Sequence, residues 1–346
     1  MMTRNKDLQR GPVLRVEGLE VDFRGSRGTY RILEGVDFSL YPGEVLALVG
    51  ETGCGKSVTA KTILNLIPRL SQQRKGVVRF DGKNLLKLSN KSLGRMRGKS
   101  ITMIFQNPQS SINPVFTLGE QIFRLIRMYL QDEIDTLCRR RNMKANAAIR
   151  RIARDKLAEV GLIDAGRLLK AYAHEISGGM AQRYKIAQAL LSSPEILIAD
   201  EATSALDVTV QAHILKLLKE LSLKKRTAIL FITHDMGIAA QICERVAVMY
   251  SGRIVEIGAT LDIFQKPLHP YTRGLLDAVP RLGNVEPLKY VAGMIPDLAN
   301  PPAGCRFHPR CRHAMAVCRL KKPENIEKGE GHLVACHMYG TSLSRK

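Results

Sequence analysis

The chain has 346 residues, 45% of them hydrophobic and 25% charged, with 53 Lys plus Arg against 32 Asp plus Glu for a formal net charge of +21. That is the composition of a globular protein with a sizeable core, longer than one average domain, so one large domain plus an appendage is expected. No apolar run approaches the roughly 20 residues that span a bilayer, and aromatics are 5% with no Trp, which leaves few stacking platforms for single-stranded nucleic acid.

The basic balance favours anionic partners (nucleic acid, anionic lipid or phosphate ligands) or marks a solvated basic surface with no single partner. The N-terminal MMTRNKDLQRGPVLRV is basic but lacks the apolar stretch of a secretory signal. A cytosolic chain is expected, with any membrane role coming through a partner.

The opening third reads as β-rich: VLRVEGLEVDF, ILEGVDFSLYPGEVLALVG and GVVRFDGKNLL. The apolar strand VLALV runs into Gly50-Glu51-Thr52-Gly53-Cys54-Gly55-Lys56-Ser57, a full G-x-x-x-x-G-K-[ST], and a helix opens at Val58. Strand–loop–helix is the context a phosphate-binding loop requires. Its glycines let consecutive N–H groups point at phosphate oxygens, and the helix N-terminus adds its positive dipole end. Lys56 is expected to bridge the β- and γ-phosphates and the Ser57 hydroxyl to ligate Mg²⁺.

A charged helical middle follows from about Gly119 to Gly161, including the basic run Arg139–Arg141. Ser177-Gly178-Gly179 then opens another helix and forms a second phosphate-sized nest of backbone donors. One nucleotide does not need two cradles from one chain. The economical arrangement is a head-to-tail dimer in which each chain's nest closes over the other's ATP. Next, the strand Ile196–Ala199 ends in Asp200-Glu201. Asp200 at the strand tip would hold Mg²⁺ through water, and Glu201 would polarise the attacking water as general base.

The apolar strand in AILFITHD (Ala228–Asp235) follows the amphipathic stretch VTVQAHILKLLKELSL. Short apolar strands alternating with helices imply a parallel sheet with crossover helices. After Gln265 prolines become dense (Pro267, Pro270, Pro280, Pro287, Pro296, Pro301, Pro302), which places a boundary near Gln265–Pro267.

Of seven cysteines, Cys54, Cys138 and Cys243 are scattered, whereas Cys305, Cys311, Cys318 and Cys336 crowd the C-terminal end. In a reducing cytosol such a cluster argues for metal rather than disulfides. The spacings are too wide for the paired cysteines of a zinc ribbon, yet four thiolates can ligate Zn²⁺ or a [4Fe–4S] cluster; unligated thiols remain the third reading. His308, His313, His332 and His337 lie nearby and read as surface histidines.

Taken together these motifs resemble those of an ABC transporter ATPase, and specifically the ATPase subunits of dipeptide/oligopeptide permeases, over essentially the whole length. Phe105-Gln106 matches the Q-loop, with Gln106 implied to touch Mg²⁺ and the attacking water. ISGGM matches the signature motif in the form this subfamily favours, with Met180 in place of Gln. Ser204-Ala205-Leu206-Asp207 matches the D-loop and Ile232-Thr233-His234-Asp235 the switch, where His234 would contact the γ-phosphate. The resemblance also covers DVTVQAHI, RVAVMYSGRIVEIG and PLHPYTRGLL, and GCRFHPRCRHAMAVC…ACH is similar to a C-terminal element that carries an iron–sulfur cluster in some members.

Two departures stand out: Ala202 where Pro is usual, expected to loosen the strand-end turn, and Tyr184-Lys185 where smaller or apolar residues are usual. For the adenine-stacking aromatic, Tyr30 is preferred to Phe23, which sits in an alternating strand where core packing is the commoner fate.

The expected fold is α/β: a RecA-like P-loop core with an antiparallel β portion, a helical subdomain inserted at about 107–180 within an ATP-binding domain spanning 1–265, and a Cys-rich C-terminal extension over 266–346. The resemblance implies an ATPase at the cytoplasmic face of the inner membrane, partnered by a second ABC ATPase subunit, two transmembrane permease subunits and an extracytoplasmic binding protein. Nickel or other metal complexes, opines and oligosaccharides are the alternative cargoes. A soluble ABC ATPase acting on nucleic acid fits less well, since such chains usually join two cassettes. A non-hydrolysing regulatory cassette is opposed by the intact Lys56, Glu201 and His234.

Overall fold

The computed structural model describes residues 11–25, 28–67, 72–107, 109–204, 206–279, 291–298 and 300–340. Ala205 of the D-loop match and Pro280 and Pro287 of the proline-dense segment lie outside these. In chain order the strands are β1 (Leu14–Gly25), β2 (Gly28–Leu40), β3 (Val45–Val49), β4 (Gln72–Phe80), β5 (Lys83–Asn84), β6 (Ile101–Ile104), β7 (Ile196–Asp200), β8 (Ala228–Thr233), β9 (Arg245–Tyr250), β10 (Arg253–Ala259), β11 (Asn325–Gly329) and β12 (His332–Ala335). The chain divides into two compact units, 1–88 with 230–346, and 89–229.

In the first unit an antiparallel sheet runs β2-β1-β4-β5. Beside it, β3 pairs parallel with β9, β9 antiparallel with β10, and β10 antiparallel with β12, which pairs with β11. All five residues of β3 are buried, as an unbroken apolar run requires when both faces of a sheet are covered. The C-terminal segment is thus woven into the cassette's own sheet: Glu256 and Ile257 of β10 sit opposite Val334 and Leu333 of β12.

A buried carboxylate ties that segment further. Glu256 accepts hydrogen bonds from the backbone N–H groups of Leu268 (2.7 Å) and His269 (2.9 Å) and from His332 Nε2 (2.8 Å). A buried carboxylate is tolerated only when satisfied in this way. His269 in turn caps the helix Pro270–Asp277, its Nδ1 accepting from the Tyr271 N–H at 3.1 Å.

The second unit pairs β6 and β7 in parallel, packs the helix Gly178–Leu190 on β6, and groups the helices Leu118–Tyr129, Gln131–Arg141 and Ala145–Glu159 against one another. The helix Leu118–Tyr129 starts at a capping box, Thr117 with Glu120, and buries Ile122 and Ile126 along one face. Tyr184 and Lys185, unexpected from sequence, both find partners here. The buried Tyr184 hydroxyl donates to Leu118 O at 2.6 Å, and Lys185 Nζ donates to Ser111 O at 3.0 Å. Among the described residues, no helix is long and apolar enough to cross a membrane.

Candidate functional site

The phosphate-loop sequence adopts the bend its glycines permit. A Cβ on Gly50 would stand 2.1 Å from Met249 O, and Gly55, at φ +111°, would drive one to within 2.8 Å of Leu33. Only glycine fits either position. Gly55 is the N-cap of the helix Lys56–Ile63, which has no side-chain cap, so its first N–H groups face into the bend. Lys56 folds back over the loop, its buried ammonium donating to Gly50 O (2.6 Å) and Glu51 O (3.0 Å). Ser57 and Val58 follow, half-buried, while Thr52 and Gly53 are exposed. Cys54 is fully buried and burial pushes its thiol above the ordinary range, which leaves it a packing group.

Glu51 is held from both ends. Its N–H donates to the Tyr271 hydroxyl at 2.9 Å, and its carboxylate takes a two-pronged ion pair from Arg310 at 2.7 and 3.0 Å. Arg310 belonged to the GCRFHPRCRHAMAVC match and Tyr271 to the PLHPYTRGLL match, but neither carried a role. In the same unit, Phe23 and Tyr30 are directly opposed across β1 and β2, both half-buried. This corrects the expectation that Phe23 packs into the core, because strand alternation alone does not tell which face is covered. His234 is exposed at the end of β8, between Thr233, whose Oγ1 accepts from the Asp235 N–H at 3.0 Å, and Asp235, which caps the next helix through Gly237 N (2.7 Å) and Ile238 N (3.2 Å).

The second unit brings Gln106 and Glu201 together: the amide Nε2 of Gln106 donates to Glu201 Oε2 at 2.6 Å. Asp200 is buried at the tip of β7, and Glu201 turns the chain at φ +50°. Glu201 O accepts from both N (3.3 Å) and Oγ (3.1 Å) of Ser204, and buried Gln182 donates to Ala202 O. These bonds close the turn that Ala202, lacking a proline ring, was expected to loosen. Ser177 caps the helix Gly178–Leu190, its Oγ accepting from the Met180 N–H at 3.3 Å. A Cβ on Gly178 would meet none of the described residues within 4 Å. Asp207 caps the helix Val208–Lys225 through Val210 N at 2.9 Å.

The four C-terminal cysteines converge. Cys305 N–H donates to Cys318 O at 2.8 Å, the thiols of Cys311 and Cys318 act electrostatically on that of Cys305, and all three act on Cys336. Burial raises the thiols of Cys305 and Cys311 and pushes Cys336 up to about 11. Cys318 Sγ accepts from the Met315 N–H at 3.5 Å. Yet among the described residues no three His, Cys, Asp or Glu side chains are grouped to hold a metal ion. The thiols of Cys305, Cys311, Cys318 and Cys336 thus come near one another without forming, among the described residues, the metal-holding group expected from the sequence. Nor is His332 a surface residue, being buried against Glu256.

A phosphate loop continued from a buried strand, a strand-end acid pair and a Ser-Gly-Gly helix start define an ATP-binding cassette. The ABC transporter family model matches residues 33–204, and a model described as the C-terminal region of oligopeptide/dipeptide transporters matches 255–318. The chain is 45% identical over 326 residues to the dipeptide transport ATP-binding protein DppD of Bacillus subtilis (strain 168), covering 94% of each. It is 40% identical over 329 residues to that organism's oligopeptide transport ATP-binding protein AppD, covering 94% of this chain and 97% of the other. Among solved structures, the dimeric bacterial ABC transporter cassette MJ0796 superposes with a TM-score of 0.61 at 25% identity, covering 71% of this chain and 98% of that one. The protein belongs to the ABC transporter ATP-binding subunits, an ATPase family that acts through ATP and Mg²⁺, in the branch that carries the oligopeptide/dipeptide C-terminal region.

Proposed function

We propose that this chain is the ATP-hydrolysing subunit of an importer for dipeptides or oligopeptides, bound peripherally at the cytoplasmic face of the inner membrane. A second ABC ATPase subunit, two transmembrane permease subunits and an extracytoplasmic binding protein complete the machine. The observation that carries the cargo class is that likeness to peptide-transport ATPases extends past the cassette into the C-terminal region at 255–318.

The residues divide the work as follows. The backbone from Gly50 to Val58 wraps the phosphates, Lys56 supplies positive charge to the β- and γ-phosphates, and Ser57, Gln106 and Asp200 would hold Mg²⁺, which would supply neutralisation of phosphate charge. Glu201 takes the proton of the attacking water, with Gln106 holding its carboxylate, and His234 contacts the γ-phosphate. Tyr30 stacks on adenine. Ser177, Gly178 and Gly179, with Asp207, close on the nucleotide of the partner ATPase; the open space beside Gly178 supports that reading. Closure of that dimer pulls on the permease through 106–121, where Gln121 accepts from Asn113 N at 3.2 Å and Val115 is largely exposed. In domain terms, 1–265 is the ATP-binding domain, with its helical subdomain at about 107–180, and 266–346 the extension.

The reading is tested by ATP-driven uptake in proteoliposomes holding the complete transporter. Competition by di- and oligopeptides, and none by nickel complexes, opines or oligosaccharides, is expected; the reverse pattern would replace the cargo assignment.

We further propose that Cys305, Cys311, Cys318 and Cys336 carry a [4Fe–4S] cluster in the loaded protein, with Zn²⁺ as the alternative. Their convergence supports this, and ligation would take the thiols as thiolates. Anaerobically purified protein should absorb broadly near ~400 nm with about four irons per chain. One zinc and no colour would make the tail a zinc clip, and no metal at all would remove the site.

A further inference from the structure

The segment from Cys305 to Cys311 reads CRFHPRC, and its Arg310 reaches back to Glu51 of the glycine-rich loop. Arg310 is almost wholly buried, at 3% side-chain exposure, and grips the Glu51 carboxylate with both terminal nitrogens. Its remaining donors reach Ala292 O (2.8 Å, from Nε), Val291 O (2.9 Å, from Nη2) and the Tyr250 hydroxyl (3.5 Å, from Nη1), and the guanidinium lies 5.7 Å from the Tyr250 ring. Such a fork holds its partner in direction as well as distance.

Tyr271 approaches the same residue from the backbone side. Its hydroxyl accepts the Glu51 N–H, and its ring is locked between Tyr250 (centroids 4.7 Å apart) and Phe307 (5.5 Å). Glu51 O is taken by Lys56. Every polar group of Glu51 is therefore engaged, at a position that the pattern G-x-x-x-x-G-K-[ST] leaves free for any residue. A loop rich in glycine loses much conformational freedom when it orders. Anchoring it beforehand removes part of that cost from nucleotide binding.

We propose that Arg310 and Tyr271 are positioning residues for the phosphate loop: by holding Glu51 they pre-order the cradle, so that the C-terminal segment sets the affinity for ATP. The proposal rests on the reading of Gly50–Ser57 as the ATP phosphate site. A segment merely anchored to the cassette by the same contacts would affect folding stability and leave ATP affinity alone.

The test measures Mg–ATP binding and steady-state hydrolysis on the full chain, with thermal melting as a control. Arg310→Ala and Glu51→Gln should each raise the dissociation constant and KM for ATP by roughly three- to tenfold with kcat little changed. The double variant should be no worse than the weaker single, because both remove one contact. Arg310→Lys, which keeps the charge and loses the fork, should fall between. Tyr271→Phe keeps the ring packing and removes only the acceptor, so it and Glu51→Gln carry the test if Arg310→Ala does not fold. ATP affinity within about twofold of wild type in Glu51→Gln and Tyr271→Phe, or additive losses in the double variant, would overturn the proposal. Lys56→Ala separates the two readings. ATP binding unchanged in Lys56→Ala overturns the site itself; binding lost there but unmoved in the clamp variants overturns only the clamp.

Discussion

The side-chain amide of Gln106 donates to the Glu201 carboxylate across 95 positions of sequence, at 2.6 Å. Both residues sit where the backbone leaves regular structure: Gln106 just beyond β6, Glu201 at the left-handed turn beyond β7. The parallel pairing of those strands, Ile104 opposite Ala199, delivers the two side chains to one place. Glu201→Gln should reduce ATP turnover by about 100-fold or more while ATP-dependent dimer formation survives, as removal of a general base predicts. Gln106→Ala, which removes that hydrogen bond and keeps the carboxylate, should reduce kcat by about tenfold. Turnover assays with size-exclusion chromatography in ATP check both; undiminished turnover in Glu201→Gln would end its assignment as the base.

The two glycine motifs should respond differently to a methyl group. Gly50→Ala forces a Cβ against Met249 O in a buried strand, and overpacking of this kind costs about 1–3 kcal/mol. Its melting temperature and its ATP affinity should both fall. In Gly178→Ala the added methyl meets no described residue of the chain, so the melting temperature should hold while dimer-dependent hydrolysis is lost. Full hydrolysis in Gly178→Ala would argue against closure of this helix start on a partner's nucleotide.

Tyr184→Phe deletes a hydroxyl that donates to Leu118 O and accepts from Gln188 Nε2 at 3.0 Å, in a fully buried position. Leaving those groups unpaired should destabilise the fold by about 1–3 kcal/mol, read from denaturant unfolding. An unchanged midpoint would mean that water takes the place of the hydroxyl.

His269 is buried, and desolvation, helped by Arg273, lowers its pKa to about 3. Its neutral ring is required, since Nδ1 accepts the Tyr271 N–H. The folded-state value lies below the unfolded value of about 6.5, so the unfolded chain binds the extra proton. Stability is fully present above about pH 6.5 and falls as the pH drops towards 3, by up to about 1.4 kcal/mol per unit. Melting curves from pH 7.5 downward should show a shallower acid decline in His269→Asn, which keeps an N-cap acceptor and does not titrate. Parallel declines would show that other groups govern the acid limb.

The phosphate loop, the acid pair at Asp200-Glu201 and the helix start at Ser177 were legible from the sequence because each is a local device. A glycine that must bend, a short capping side chain and an apolar run ending in acids are encoded within a few residues of one another. The amphipathic helices and buried strands were legible for the same reason: their periodicity is a property of adjacent positions. What the tertiary structure alone decided are relationships set by the path of the chain. Arg310 meets Glu51 across 259 positions, β12 joins β10, and His332 turns inward to Glu256. An arginine, a short strand and a histidine carry the same local signal on a surface as in these places. Only the packing that removes water around them turns an ordinary charge into a clamp, or a thiol into an inert filler.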